Sequence, residues 1–262
     1  MNSRLASIIA TAGVSLLPGF DALAQEPVCA GYELAILSPE ATLEALAMDG
    51  DVLVAGWPRF ATTQQNAGTA IVYQFQAGNG WTEVQQLLPT DGAPGEWFGS
   101  SVAVDGDVIV IGERSDSCDE AAFVFRFDGS TWVEEQKLTP SVASFCNRFG
   151  SSVAVSGDTI LVGAERDHHS ILGTDAGTVF AYRFDGSQWM EEAILFPAVH
   201  QADARFGNAI AMKGDLALIG APGRDGLPNS NFDPGAVFAF RLGAGGVWTE
   251  ETEDCSQQWS RG

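Results

Sequence analysis

Basic side chains are scarce in this chain: 13 Lys and Arg stand against 34 Asp and Glu, a formal net charge of −21. Such a surface repels nucleic acid and anionic lipid, which sets both aside as partners, and it favours cations and solubility in saline surroundings. Histidine is scarcer still. His168, His169 and His200 are the full set, and none has a serine or cysteine nearby in a nucleophile motif; there is no Gly-x-Ser-x-Gly. No glycine-rich phosphate cradle follows a strand. The four cysteines, Cys29, Cys118, Cys146 and Cys255, include no Cys-x-x-Cys pair, which argues against a zinc or thiol-redox centre. Paired carboxylates can be assembled anywhere from so many acids and decide nothing.

Long apolar runs are also missing after the first two dozen residues, so no membrane span is expected. Residues 1–24 read as a secretory leader, with Arg4 as the positive start, Leu5 to Phe20 apolar, and Ala22-Leu23-Ala24 as a small-residue cleavage site before Gln25. Its removal takes away Arg4 and Asp21, one charge of each sign, and leaves the mature chain equally acidic. Pro27-Val28 precede Cys29 where a lipid-attachment site needs a small residue. A secreted or cell-surface protein follows, in which cysteines pair as disulfides; four of them allow three connectivities.

What is abundant is repetition. Phe98-Gly99-Ser100-Ser101-Val102-Ala103-Val104 returns as Phe149-Gly150-Ser151-Ser152-Val153-Ala154-Val155 and again as Phe206-Gly207-Asn208-Ala209-Ile210-Ala211-Met212, at spacings of 51 and 57 residues. A period of that length marks a repeat array. Within each unit, alternating apolar residues are cut by turn signals, the pattern of short antiparallel strands. In the second unit these are Ser101–Val104, Val108–Ile111, Ala122–Phe127 and Trp132–Leu138, punctuated by Asp105-Gly106-Asp107 and Asp128-Gly129-Ser130. Asp-Gly and Gly-Asp turn tightly because glycine reaches positive φ without a steric cost. A worn earlier copy keeps Gly50-Asp51, Val52–Ala55, Ile71–Phe75 and Trp81, with Thr42 where Phe should stand. Small sheets that are apolar on both faces must stack on copies of themselves, and radial stacking gives a β-propeller. The recurrent Phe and Trp belong between blades.

Phe206-Gly207 at a first strand and Gly220-Ala221-Pro222 after a second resemble the FG-GAP repeat, which builds the propeller head of integrin α subunits and recurs in exported bacterial proteins. The resemblance covers residues 41–254, as units 41–97, 98–148, 149–205 and 206–254. Residues 25–40 form an N-terminal segment in which Tyr32–Pro39 looks like a stray fourth strand, and 255–262 a polar tail. The fold class is therefore all-β, a propeller of four-stranded antiparallel blades. Family propellers usually have seven blades, so about four implies an incomplete or truncated one. A closed four-bladed ring and an assembly of two chains, self-associating through an exposed blade face, remain open alternatives.

The resemblance implies a non-catalytic binding or adhesion module, contacting an extracellular protein or glycan through long loops on one face. These loops are Arg59–Asn66, Glu113–Glu120, Glu165–Ala176 and Gly223–Pro234. It also implies calcium, a hard cation held by Asp and Asn oxygens, in Asp225–Asp233, where Asp225, Asn229, Asn231 and Asp233 are the candidate ligands, although Leu227 and Pro228 interrupt the family's pattern. The loop geometry of such a propeller makes a Cys118–Cys146 disulfide sensible, which leaves Cys29 for Cys255. A transition metal at His168-His169 competes with an ordinary polar loop there. Phe127–Trp132 is one residue short of a sialidase Asp-box, itself a structural turn. A secreted hydrolase or lyase on the same scaffold, or a purely structural surface unit, stand as the alternatives.

Overall fold

The computed structural model describes residues 42–60, 67–115, 118, 120–142, 146–168, 173–224 and 235–251. Within these lie sixteen strands and no helix, all in the compact unit Ile36–Gly262. The first blade is β1 (Ala45–Asp49), β2 (Val52–Trp57), β3 (Thr69–Gln76) and β4 (Gly80–Leu87). The second is β5 (Phe98–Asp105), β6 (Val108–Glu113), β7 (Ala121–Phe127) and β8 (Trp132–Leu138). The third is β9 (Phe149–Ser156), β10 (Thr159–Ala164), β11 (Thr178–Phe184) and β12 (Trp189–Leu195). The fourth is β13 (Ala209–Lys213), β14 (Leu216–Ala221), β15 (Ala236–Leu242) and β16 (Trp248–Glu250). Every sheet is an antiparallel meander with its strands in sequence order.

The first strands of the blades stack in succession, β1 on β5, β5 on β9 and β9 on β13. The result is a four-bladed propeller arc. Among the described residues the fourth blade does not pack back on the first, so the ring is not closed. The central strands β6 and β10 are buried along their whole length, whereas β1 and β13 alternate between half-buried and exposed residues. Period-two alternation thus serves two neighbours in the middle of the arc and one at its ends.

The Phe-Gly phrase makes the joint between blades. Gly99, Gly150 and Gly207 have φ of 93°, 85° and 87°, a region that side chains other than glycine rarely adopt. The resulting bulge lets Phe98, Phe149 and Phe206 turn inward, each fully buried. Each is worth about 2–3 kcal/mol in apolar area removed from water. Phe98 meets the edges of Phe123 and Phe125, Phe149 those of Phe180 and Tyr182, and Phe206 those of Phe238 and Phe240. The bulge also sends a glycine carbonyl into the preceding blade. A Cβ on Gly56, Gly112 or Gly163 would lie 2.1, 2.0 or 2.2 Å from the oxygen of Gly99, Gly150 or Gly207.

Polar side chains repeat between blades as well. Gln85 donates to the Trp132 carbonyl and accepts from its amide, each at 2.7 Å, and Gln136 does the same for Trp189 at 2.8 and 2.7 Å. At the hairpins, Asp128 Oδ1 accepts from the amides of Ser130 and Thr131, and Asp185 Oδ1 from those of Ser187 and Gln188. These amide donors hold both carboxyls below the usual aspartate range.

Candidate functional site: the loop end of the blades

Each blade is short at one end and long at the other. The β1–β2 and β3–β4 type hairpins turn within a few residues, while the β2–β3 type loops and the connectors between blades share the opposite end. Loops that vary on a rigid scaffold are where binding residues concentrate.

Cys118, in the β6–β7 loop, and Cys146, in the connector from β8 to β9, are joined in a disulfide with Cα atoms 4.5 Å apart. Both residues have positive φ. The bond ties a loop of the second blade to the entry of the third. Cys29 and Cys255 lie outside the described residues, as do Asp225, Asn229, Asn231, Asp233 and His169. Among the described residues no group of three or more His, Cys, Asp or Glu side chains is arranged to hold a metal ion. His168 is engaged within its own loop: Asp175 donates its amide to His168 Nδ1 at 3.2 Å, and Nε2 lies 3.4 Å from Asp175 Oδ1.

The carboxylates of this end are tied into the frame. Glu44 pairs with Arg59 at 3.3 Å and with Arg114 at 3.8 Å, linking the first blade to the second. Both guanidinium groups lie over the Trp97 ring, 5.3 and 4.9 Å from its centroid. Glu165 accepts from Arg148 at 2.6 Å and from Asn208, joining the third blade to the fourth. Burial alone would raise the Glu165 carboxyl, but the Asn208 and Arg148 donors overcome it and hold it below the ordinary range. Glu120 shows the reverse balance. Burial dominates and raises it, only partly offset by the Phe149 amide at 3.1 Å. The corresponding amides of Phe98 and Phe206 bond instead to the carbonyls of Ala67 and Ala176.

These pairs escaped the sequence reading because their members lie in loops without a repeat. The one signal that pointed to them was position: Trp97, Arg148 and Arg205 each stand just before a Phe-Gly, and all three have positive φ, 46°, 59° and 55°.

The FG-GAP repeat model matches residues 81–125, 132–182 and 189–240. The chain belongs to the FG-GAP repeat family. Each match opens on a tryptophan, Trp81, Trp132 or Trp189, so the family unit runs from the last strand of one blade into the third strand of the next. No curated protein matches the chain. Among solved structures, the crystal structure of the computationally designed Ika4 protein is similar, at 16% identity. The match covers 79% of this chain and 94% of that one with a TM-score of 0.47, a likeness too slight to carry weight. Among the described residues no helix is long and apolar enough to cross a membrane.

Proposed function

We propose that this FG-GAP protein is an exported, non-catalytic binding or adhesion module that holds an extracellular protein or glycan at the loop end of its blades. The observation that carries this reading is the contrast between the two ends. The first hairpin of every blade repeats a Gly-Asp turn, and in the second and third blades the last hairpin repeats an Asp-Gly-Ser design, with Asp128 and Asp185 doing the same work. The loop end does not repeat, and it is braced by the Cys118–Cys146 disulfide and by the Glu44–Arg114 and Glu165–Arg148 pairs. A braced, non-repeating surface lowers the ordering cost of binding, whereas its buried carboxylates are already committed to structural partners. The Ala22-Leu23-Ala24 leader signature and the disulfide fit an oxidising, extracytoplasmic compartment.

Calcium belongs to the same reading on sequence grounds, with Asp225, Asn229, Asn231 and Asp233 as ligands. Thermal melts at millimolar calcium should show stabilisation that Asp225→Ala and Asp233→Ala remove; no shift would end the calcium part alone. For the ligand, the purified protein is applied to arrays of extracellular-matrix proteins and glycans. Binding that charge reversal at the exposed loop-end residue Arg205 weakens and Asp128→Asn at the hairpin end leaves intact supports the loop end. Loss with the hairpin variant, or no binding to either class, contradicts it.

A further inference from the structure

The outward face of the fourth blade repeats, position for position, a face that is covered elsewhere. In the third blade, Ala154, Leu161, Gly163, Val179 and Ala181 turn toward the fourth and are buried. Strand register places Ala211, Leu218, Gly220, Val237 and Ala239 at the equivalent positions of the fourth blade. The residue types match throughout: Ala, Leu, Gly, Val, Ala. Here, however, Leu218 is 43% and Val237 70% exposed. At Gly163 the carbonyl of Gly207 fills the glycine notch; at Gly220 the nearest atom to an added Cβ is the Ala209 Cβ of the same sheet, at 3.6 Å. The fourth blade carries a finished receiving face.

The first blade carries the opposite half. In the second blade, Val102, Val104, Ile109, Phe123 and Phe125 face the first. Their register equivalents in the first blade are Leu46, Met48, Leu53, Ile71 and Tyr73; Leu46 is 57% and Met48 63% exposed, Leu53 and Ile71 are half-buried, and Tyr73 is buried. Polar fittings follow the same rule. Each internal joint has a hairpin glycine amide donating to the preceding blade, Gly106 to Asp49, Gly157 to Asp105 and Gly214 to Ser156. The fourth blade's residue at that acceptor position is Lys213, a donor rather than an acceptor, and the leading hairpin is Asp49-Gly50-Asp51, in which Asp49 already accepts from Gly106. A cation thus stands where an acidic turn would arrive.

We propose that two copies of this chain associate head to tail, with the β13–β15 face of one receiving the β1–β3 face of the other and Lys213 set against the Asp49–Asp51 turn. The contact reuses the apolar strand faces of the joint made three times inside the chain, with Thr42-Leu43 standing in place of the Phe-Gly pair, which is why a second copy fits the face. Because the two faces differ, the contact is heterologous, and two chains satisfy both faces by closing a ring. Four blades from each chain keep such a ring within the range of roughly 4–8 blades typical of propellers.

Sedimentation equilibrium of the purified protein at micromolar concentration tests this. The expected mass is that of two chains. Val237→Arg and Met48→Arg each alter a side chain exposed in the single chain, so circular dichroism should remain that of the wild type. Each should raise the dimer dissociation constant by about 30-fold or more, the effect of losing an interfacial anchor. Lys213→Glu should weaken the dimer, and Asp51→Lys in the same chain should restore it in part. A monomer at every concentration overturns the proposal, as does an open-ended ladder of masses. A dimer broken by Val237→Arg but indifferent to Met48→Arg would mean that two fourth blades meet back to back, which also overturns it.

Discussion

The carbonyl oxygen of Gly150 lies 2.0 Å from where a Cβ on Gly112 would sit, so the two backbones touch with no room for a side chain between them. The same oxygen accepts from the Ser101 hydroxyl at 2.8 Å, and the Gly207 oxygen from Ser152 at 2.6 Å. One glycine clears the space, another supplies the oxygen at positive φ, and a serine from the receiving blade satisfies it. The repeat phrase is the visible trace of this three-part joint.

The joint should respond to loss of its hydroxyl. Ser152→Ala leaves the Gly207 oxygen in a buried setting with one donor fewer, and should cost about 1–2 kcal/mol, read from urea unfolding at neutral pH. A loss indistinguishable from zero would mean that water or another donor takes over.

Two of the buried carboxylates, Glu165 and Glu120, predict opposite pH behaviour. Glu165 is held below its ordinary 4.5, so its contribution is present above that value and is lost as pH falls through the folded one. Glu120 is raised above 4.5, so its ionisation disfavours the fold as pH rises through its folded value. Glu165→Gln should therefore be less stable than wild type at pH 7 and converge with it in acid. Glu120→Gln, which keeps an acceptor for the Phe149 amide, should be as stable as wild type or more so at pH 7. Urea midpoints between about pH 3 and 7 check both signs.

Reduction of Cys118–Cys146 reopens a segment with a sequence separation of 28 residues. Loop-closure entropy puts the cost at about 3.5 kcal/mol. Thermal melts with and without reductant should show that loss, and Cys118→Ser should reproduce it and make the melt insensitive to reductant. Non-reducing peptide mapping should recover the linked pair.

How far the sequence speaks depends on what repeats. Phe98 and Phe149 could be placed at the start of their first strands, and Phe206 just ahead of β13, because the same backbone joint demands the same residues every time. The first strands β5 and β9 are longer than the alternating pattern alone implies, since the bulge at Gly99 or Gly150 breaks the alternation without ending the pairing. The loop end was legible only in outline. Glu44, Arg114 and Trp97 meet across a joint from three separate stretches of chain, and no periodicity links them. Thr42 in place of phenylalanine marked the first blade only as a worn copy. It did not reveal that Leu46 and Met48 would stand exposed beside it.

One substitution, made at two register-equivalent positions, tests the open four-bladed arc most directly. Gly163→Ala puts a Cβ 2.2 Å from the Gly207 oxygen, whereas Gly220→Ala meets nothing closer than 3.6 Å. Urea unfolding is measured at concentrations low enough for the single chain to dominate. The account predicts a loss of about 2–3 kcal/mol for Gly163→Ala and none for Gly220→Ala. Equal losses at both positions would mean that the outer face of β14 already carries a strand of its own chain, and would contradict the open arc.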